Sequence, residues 1–223
     1  MAETMGVNVI TVDGPSGVGK GTLAKLLCEY TGFHFLDSGA IYRTLAFGVI
    51  EKGIELYDVP GLVALATELP VVFDAGQVLF EGKDISCLIR TEEVAAIASQ
   101  VAAIPEVRTA LLQRQKNFAE QPGLVADGRD MGTVVFAQAK VKLFLTASAE
   151  VRAERRVNQL KNQGVTANIH QIIQDIVERD ARDSNRAVAP LVPANDAFVI
   201  DTSHLSIDQV LEKAKEILQQ RGM

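Results

Sequence analysis

The sequence predicts an α/β fold in which a parallel sheet is flanked by helices, and three observations predict it. Residues 7–12 form a short β-branched apolar run that ends in Asp13 and a glycine-rich turn, the pattern of a fully buried strand. Residues 20–29 follow at once, with Leu23, Ala24, Leu27 and Cys28 on one helical face. A second apolar run at 33–36 and a second helical stretch at 40–51 repeat the alternation. A β-α-β-α order buries its apolar faces best as a parallel sheet between helices.

The rhythm then changes. Residues 69–73 and 78–81 flank Asp74-Ala75-Gly76-Gln77 and read as a hairpin. Asp58 to Gly61 reads as a turn. A helix over 91–104 carries Val94, Ile97, Ala98 and Val101 at helical spacing, Pro105 ends it, and 106–120 resumes as helix. Residues 61–92 are expected to form a small inserted module, with the following helix returning to the main body. Strands at 124–126 and 141–145, helices at 150–162 and 169–185, and a strand at 197–200 restore the α/β pattern. A last helix places Ile207, Val210, Leu211, Ala214 and Ile217 on one face. There is no internal repeat.

Length and composition bound the function. A chain of 223 residues suggests one to two domains. With 48% hydrophobic and 22% charged residues it is neither disordered nor a disulfide-stapled miniature. The net charge of −6 lacks the overall basic field of a non-specific nucleic-acid binder, although a local basic pocket is compatible with it. Cys28 and Cys87 are read as reduced thiols, and His34, His170 and His204 are too scattered for a zinc site. No stretch has the length of a membrane span, and Met1 to Gly6 is not a secretory signal, so a cytoplasmic protein is expected.

The strongest motif is Gly14-Pro15-Ser16-Gly17-Val18-Gly19-Lys20-Gly21-Thr22, with the G-x-x-x-x-G-K spacing of a phosphate-binding loop. Glycines let successive N–H groups turn towards one anion, and the helix that starts here points its positive end at the phosphates. Lys20 can reach the β and γ phosphates. Position 21 is glycine, so the hydroxyl expected on magnesium is that of Thr22. The strand before the loop and the amphipathic helix after it are the confirming context for nucleotide binding. A base-reading N-K-x-D motif is absent, which counts against a GTPase switch.

Several arginines need an anion. Asp37-Ser38 is expected to cap the second helix, and Arg43 lies in its second turn near the carboxyl ends of the strands. Asp127-Gly128-Arg129-Asp130-Met131-Gly132-Thr133 follows a strand and suggests a site loop. Arg179, Arg182, Asp183 and Arg186 share one side of a helix whose inward stripe is Ile169, Ile172, Ile173 and Ile176. Continuing that stripe reaches Arg179 and Asp183, and three arginines with one carboxylate imply an unpaired positive surface suited to clamping phosphate. Two readings stand for Arg152, Arg155 and Arg156: a mobile lid over phosphates, or a solvated helix face. A phosphate loop plus separate arginines suggests a triphosphate donor and an anionic acceptor. Such an acceptor needs no strong general base, so catalysis would be positioning plus charge neutralisation.

Together G-P-S-G-V-G-K-G-T, L-D-S-G-A-I-Y-R, A-S-Q-V-A, A-D-G-R-D-M-G-T-V-V-F and R-D-x-R-D-x-N-R-A-V-A-P-L resemble the bacterial cytidylate kinase family, in order from about residue 7 to 201. The resemblance implies a P-loop NTPase-type parallel sheet flanked by helices. The core would cover 1–60, 105–150 and 187–223, a nucleoside-monophosphate-binding insert 61–104, and a short lid with the arginine-rich helix 151–186. It implies transfer of the γ-phosphoryl group of ATP to CMP or dCMP with Mg2+ held at Thr22. Lys20, Arg129 and Arg186 would be catalytic, and residues 14–22 with Arg156 would bind ATP. Asp37, Ser38, Arg43, Ser99, Arg108, Arg129, Asp130, Arg179, Asp183 and Arg186 would bind the acceptor. Of these, Ser99, Arg108 and Asp130 would read cytosine, Arg43 and Arg129 would hold the acceptor phosphate, and Asp183 and Arg179 would reach the sugar. The chain would act as a monomer, with no nucleic-acid, membrane or protein partner. On the residues alone two alternatives stay open: a kinase for another acceptor, and a nucleotide-dependent regulatory switch.

Overall fold

The computed structural model describes residues 6–74, 77–162 and 164–223. Met1 to Met5, Ala75, Gly76 and Gln163 lie outside the described residues, and with Ala75 and Gly76 so does the middle of the expected hairpin connection. The chain divides into two compact units: 1–36 with 116–223, and 37–115.

The first unit is built on a five-stranded sheet. Its strands are β1 (Asn8–Asp13), β2 (His34–Asp37), β6 (Gly123–Asp127), β7 (Val141–Thr146) and β8 (Phe198–Asp201), in the order β2-β6-β1-β7-β8. β1 runs parallel to both β6 and β7, and β7 runs parallel to β8. The carboxyl ends of β1, β6 and β7 therefore share one edge, where ligands of such sheets bind. One face is apolar: Ile10, Val12, Leu143 and Leu145 pack with Leu23, Ala24 and Leu27 of α1 (Lys20–Thr31) and Val210, Ala214 and Leu218 of α8 (Ile207–Gln220). Among the alternate positions of β1 and β7, beside apolar Val9 and Phe144, Thr11, Asp13 and Lys142 are buried yet polar. α6 (Ala149–Asn162) and α7 (Ile169–Ser184) complete the unit.

The second unit joins α2 (Ser38–Lys52) and α3 (Val59–Thr67) to a small antiparallel sheet of β3 (Val71–Asp74), β4 (Gln77–Phe80) and β5 (Lys83–Asp84), then α4 (Glu92–Val101) and α5 (Pro105–Lys116). Phe80 of β4 meets Phe47 edge-to-face at 5.6 Å and presses on Gly48, where a Cβ would lie 3.0 Å from its ring. Position 48 thus needs glycine for close approach.

Three expectations are corrected. Asp58 to Gly61 is not a turn but the start of α3: Asp58 accepts the Gly61 N–H as N-cap, and Pro60 needs no N–H partner in the first helical turn. The helix after the hairpin ends at Val101, and Pro105 begins the next helix instead of merely ending the last. That α4 belongs with the 37–115 unit, because its buried Val94, Ala98 and Val101 pack in that unit, chiefly along α2. Among the described residues no single helix is long and apolar enough to cross a membrane. α4 and α5 pass that test only as a pair, and they are bent by 101°.

Candidate active site

The turn after β1 carries three glycines in the left-handed region, Gly14, Gly17 and Gly19. At Gly14 a side chain would collide with the backbone carbonyl of Leu145, so the loop lies tight against β7. Gly19 is the N-cap of α1 at φ 96°, with no side-chain bond to the helix. The first N–H groups of α1 are thus left to an external acceptor, which suits an anion. Lys20 opens the helix. Its side chain is 7% exposed, and its ammonium donates to Pro15 O at 2.8 Å and lies 4.0 Å from Asp127 Oδ1. Burial pushes Lys20 down to about 7, and Arg129 and Arg179 add to this against the pull of Asp127 and Asp13. The Lys20 amine is thus held largely out of water beside the loop.

Residues 128–135 lead from the end of β6 into a π-helical turn, Met131–Val135. Asp13 Oδ1 accepts from Met131 N at 2.9 Å and Oδ2 from Gly132 N at 2.7 Å. Burial pushes its carboxyl up to about 7 even though those two N–H groups oppose the shift. Arg129 donates from Nε to Asp183 Oδ2 at 3.1 Å and from Nη1 to Gly128 O at 3.3 Å. Arg186 donates to Asp183 Oδ1, and Asp183 is only 1% exposed. The expected unpaired positive surface on α7 is corrected here: Asp183 turns inward and is gripped by one arginine from its own helix end and one from the 128–133 loop. Asp130 is buried and Arg179 half-buried.

The three arginines of α6 part company. Arg152 is buried, with its guanidinium on Ser16 O at 3.2 Å in the phosphate loop and on Asp180 Oδ2 at 2.5 Å in α7. Arg155 holds Thr202 through Oγ1 at 3.1 Å and O at 2.6 Å, and half-buried Arg156 donates to Gln159. Thr22 is exposed and lines a cleft of about 200 Å3 with Val18, Gly19, Arg155, Thr202 and Leu205. The carboxylate of Asp127 lies where a side chain at position 21 would begin, 3.3 Å from a Cβ on Gly21. Among the described residues no three His, Cys, Asp or Glu side chains cluster as a metal cage. Mg2+ needs none, because it keeps waters and is held by substrate phosphates with one or two protein oxygens. The Thr22 hydroxyl and the Asp127 carboxylate are oxygen donors of the required type.

In the 37–115 unit, Asp37 caps α2 by accepting the Ala40 N–H, and Ser38 donates to Gln115 Oε1 at 2.7 Å. Arg43 is half-buried in the second turn of α2. Arg108 is buried, donates to Ala102 O at 3.1 Å and lies over the Tyr42 ring at 5.7 Å; Ser99 is buried on α4.

A family model described as cytidylate kinase matches residues 10–220. The chain belongs to the cytidylate kinase family. It is 55% identical over 219 residues to a cytidylate kinase of Shewanella frigidimarina, covering 96% of both chains. It is also 55% identical over 217 residues to one of Salmonella paratyphi B, again with 96% of each covered. Among solved structures, a Thermus thermophilus protein shares the fold at a TM-score of 0.50, with 18% identity over 97% of this chain and 98% of that one. As in the sequence reading, this cytidylate kinase family member has a central, mostly parallel sheet flanked by helices. Sequence reasoning passed over Asp13 and Thr202, named Asp127 only as the first residue of the 127–133 loop, and left the role of Arg152 open. The apolar run of β1 ending in a carboxylate was the one signal that pointed to Asp13.

Proposed function

We propose that this chain transfers the γ-phosphoryl group of ATP to CMP or dCMP, giving ADP and CDP or dCDP. The observation that carries the reading is the cradle at the start of α1, uncapped and closed by desolvated Lys20, in a chain of the cytidylate kinase family. The triphosphate lies along residues 14–22, with Arg156 on the donor side. The acceptor phosphate is held by Arg43 and Arg129, cytosine is read by Ser99, Arg108 and Asp130, and the sugar is met by Arg179 and Asp183. Asp37 and Ser38 set the start of α2, which carries Arg43.

An oxygen of the acceptor phosphate attacks the γ-phosphorus. The new P–O bond forms as the bond to the β-bridging oxygen breaks, and ADP leaves with that electron pair. The attacking oxygen is already anionic, so no general base is required. Lys20, Arg129 and Arg186 neutralise the charge spread over the phosphoryl oxygens, and their low exposure makes each interaction stronger than in water. Thr22 and Asp127 would hold Mg2+, which when bound adds positive charge at the β and γ phosphates.

Residues 61–104, within the 37–115 unit, serve as the monophosphate-binding insert, 151–186 as the lid with its arginine-rich helix, and 1–60, 105–150 and 187–223 as the core. A monomer in the cytoplasm, with no nucleic acid, membrane or protein partner, suffices; the net charge of −6 supports the exclusion of nucleic acid. The test is product analysis with ATP labelled on the γ-phosphate. Label should appear in CDP when CMP is supplied; label found only in inorganic phosphate would replace the kinase reading with hydrolysis.

A further inference from the structure

The polar positions on the β1 and β7 face opposite the apolar core are unusual for central strands. Thr11 and Lys142 are direct partners in the β1–β7 register, and Asp13 lies two residues on along β1. All three are at most 7% exposed. Burying a carboxylate in a sheet costs free energy unless strong hydrogen bonds offset it. Asp13 spends both oxygens on backbone N–H groups of one short segment, Met131 and Gly132. That segment follows directly on Arg129 and Asp130. Asp13 is also the residue immediately before Gly14, so a single rigid strand end touches both loops.

We propose that Asp13 is a positioning residue for the acceptor side of the reaction. By fixing the Met131 and Gly132 amides, it sets where Arg129 and Asp130 stand relative to the phosphate loop. This rests on the reading of Arg129 and Asp130 as acceptor-binding groups. The fit at Gly132 is a second, independent sign of the same placement. A Cβ there would lie 2.8 Å from Thr11 Oγ1, 3.3 Å from Asp13 Oδ2 and 3.3 Å from Lys142 Cδ, so the segment is pressed onto this face of the sheet. Lys142 fixes the far end by donating to Ala137 O at 2.7 Å.

Two variants test the inference. Asp13→Asn presents an amide where two N–H groups need acceptors. Gly132→Ala keeps the carboxylate and pushes the same segment off the strand. Initial rates are measured with ATP, Mg2+ and CMP, and ATP affinity is measured separately by titration without CMP. Displacing a substrate-positioning group by about 1 Å can cost on the order of 100-fold in rate. Both variants should therefore lose about 10- to 100-fold in kcat/KM for CMP, with ATP affinity held within about threefold. A merely structural role would lower the melting temperature and the active fraction without splitting the two substrates. Equal losses for CMP and ATP, or unchanged constants, overturn the inference. Should Asp13→Asn fail to fold, Gly132→Ala decides alone. Wild-type turnover with CMP is read in parallel. Its absence would sink the functional reading and the inference with it, whereas wild-type turnover with no split in the variants would sink the inference only.

Discussion

Lys20 folds its ammonium back over the phosphate loop onto Pro15 O, where burial lowers its proton affinity. A charge held there costs folding energy, so Lys20→Ala should leave the melting temperature intact or slightly raised. Turnover should fall by at least about 100-fold, the scale for removing one buried charge-stabilising group. Steady-state activity unchanged in that variant would sink the assignment of the loop. Lys20 and Asp13 also make stability depend on pH in opposite directions without nucleotide. Asp13 titrates near 7 in the folded chain against 3.8 ordinarily, so the folded state holds the extra proton and stability falls as pH rises between these values. Lys20 titrates near 7 against 10.5, so the unfolded state holds the extra proton and stability rises with pH above about 7. Thermal unfolding compared between the wild type and Asp13→Asn should show the stability of the wild type falling relative to the variant from pH 4 to 7; the same pH dependence in both would contradict this. Asp183 is gripped by Arg129 and Arg186, and breaking a buried pair costs about 3–5 kcal/mol. Asp183→Ala should therefore lower stability and raise KM for CMP far more than KM for ATP. An equal rise in both constants would count against the sugar-contact role. The inward turn of Asp183 was legible because it continues the isoleucine stripe of α7. Its second arginine partner was not, since Arg129 is 54 residues away in sequence and only the folded sheet brings it close.

At the scale of elements, legibility followed the strength of the local pattern. β1, α1, β6 and β7 are long apolar runs or amphipathic stripes, and they fall within one or two residues of their expected ends. α3 was hidden because Asp58, Pro60 and Gly61 carry the same residue types as a turn, and only the Asp58 cap tells the two apart. The α4–α5 break was misplaced because Pro both stops one helix and starts another. The π-helical turn at Met131–Val135 has no periodic signature in five residues; backbone amides bonded to Asp13, 118 and 119 residues earlier, hold its start. α8 needed no such remote support. Ser206 and Gln209 form a capping box at its start. Ser206→Ala should cost about 1 kcal/mol. In a chain of this size that lowers the melting temperature by about 2–4 °C. The kinetic constants should not change; a loss of activity at full stability would mean that the start of α8 contributes to the site.

Over the whole molecule, the phosphate loop, Arg129, Asp130, Arg179, Asp183 and Arg186 belong to the unit of 1–36 and 116–223, while Asp37, Ser38, Arg43, Ser99 and Arg108 belong to 37–115. Phosphate chemistry was legible from glycine spacing and from charged residues placed where apolar ones were due. Cytosine was not, because a base is read by a few donors and acceptors whose placement no spacing reveals; it came from motif resemblance and now rests on family membership across residues 10–220. The central claim is acceptor identity. ADP formation with ATP, Mg2+ and a panel of nucleoside monophosphates tests it most directly. Fast turnover with CMP and dCMP, and little with AMP, GMP or dTMP, is the predicted result. Tight ATP binding without turnover on CMP or dCMP would contradict it.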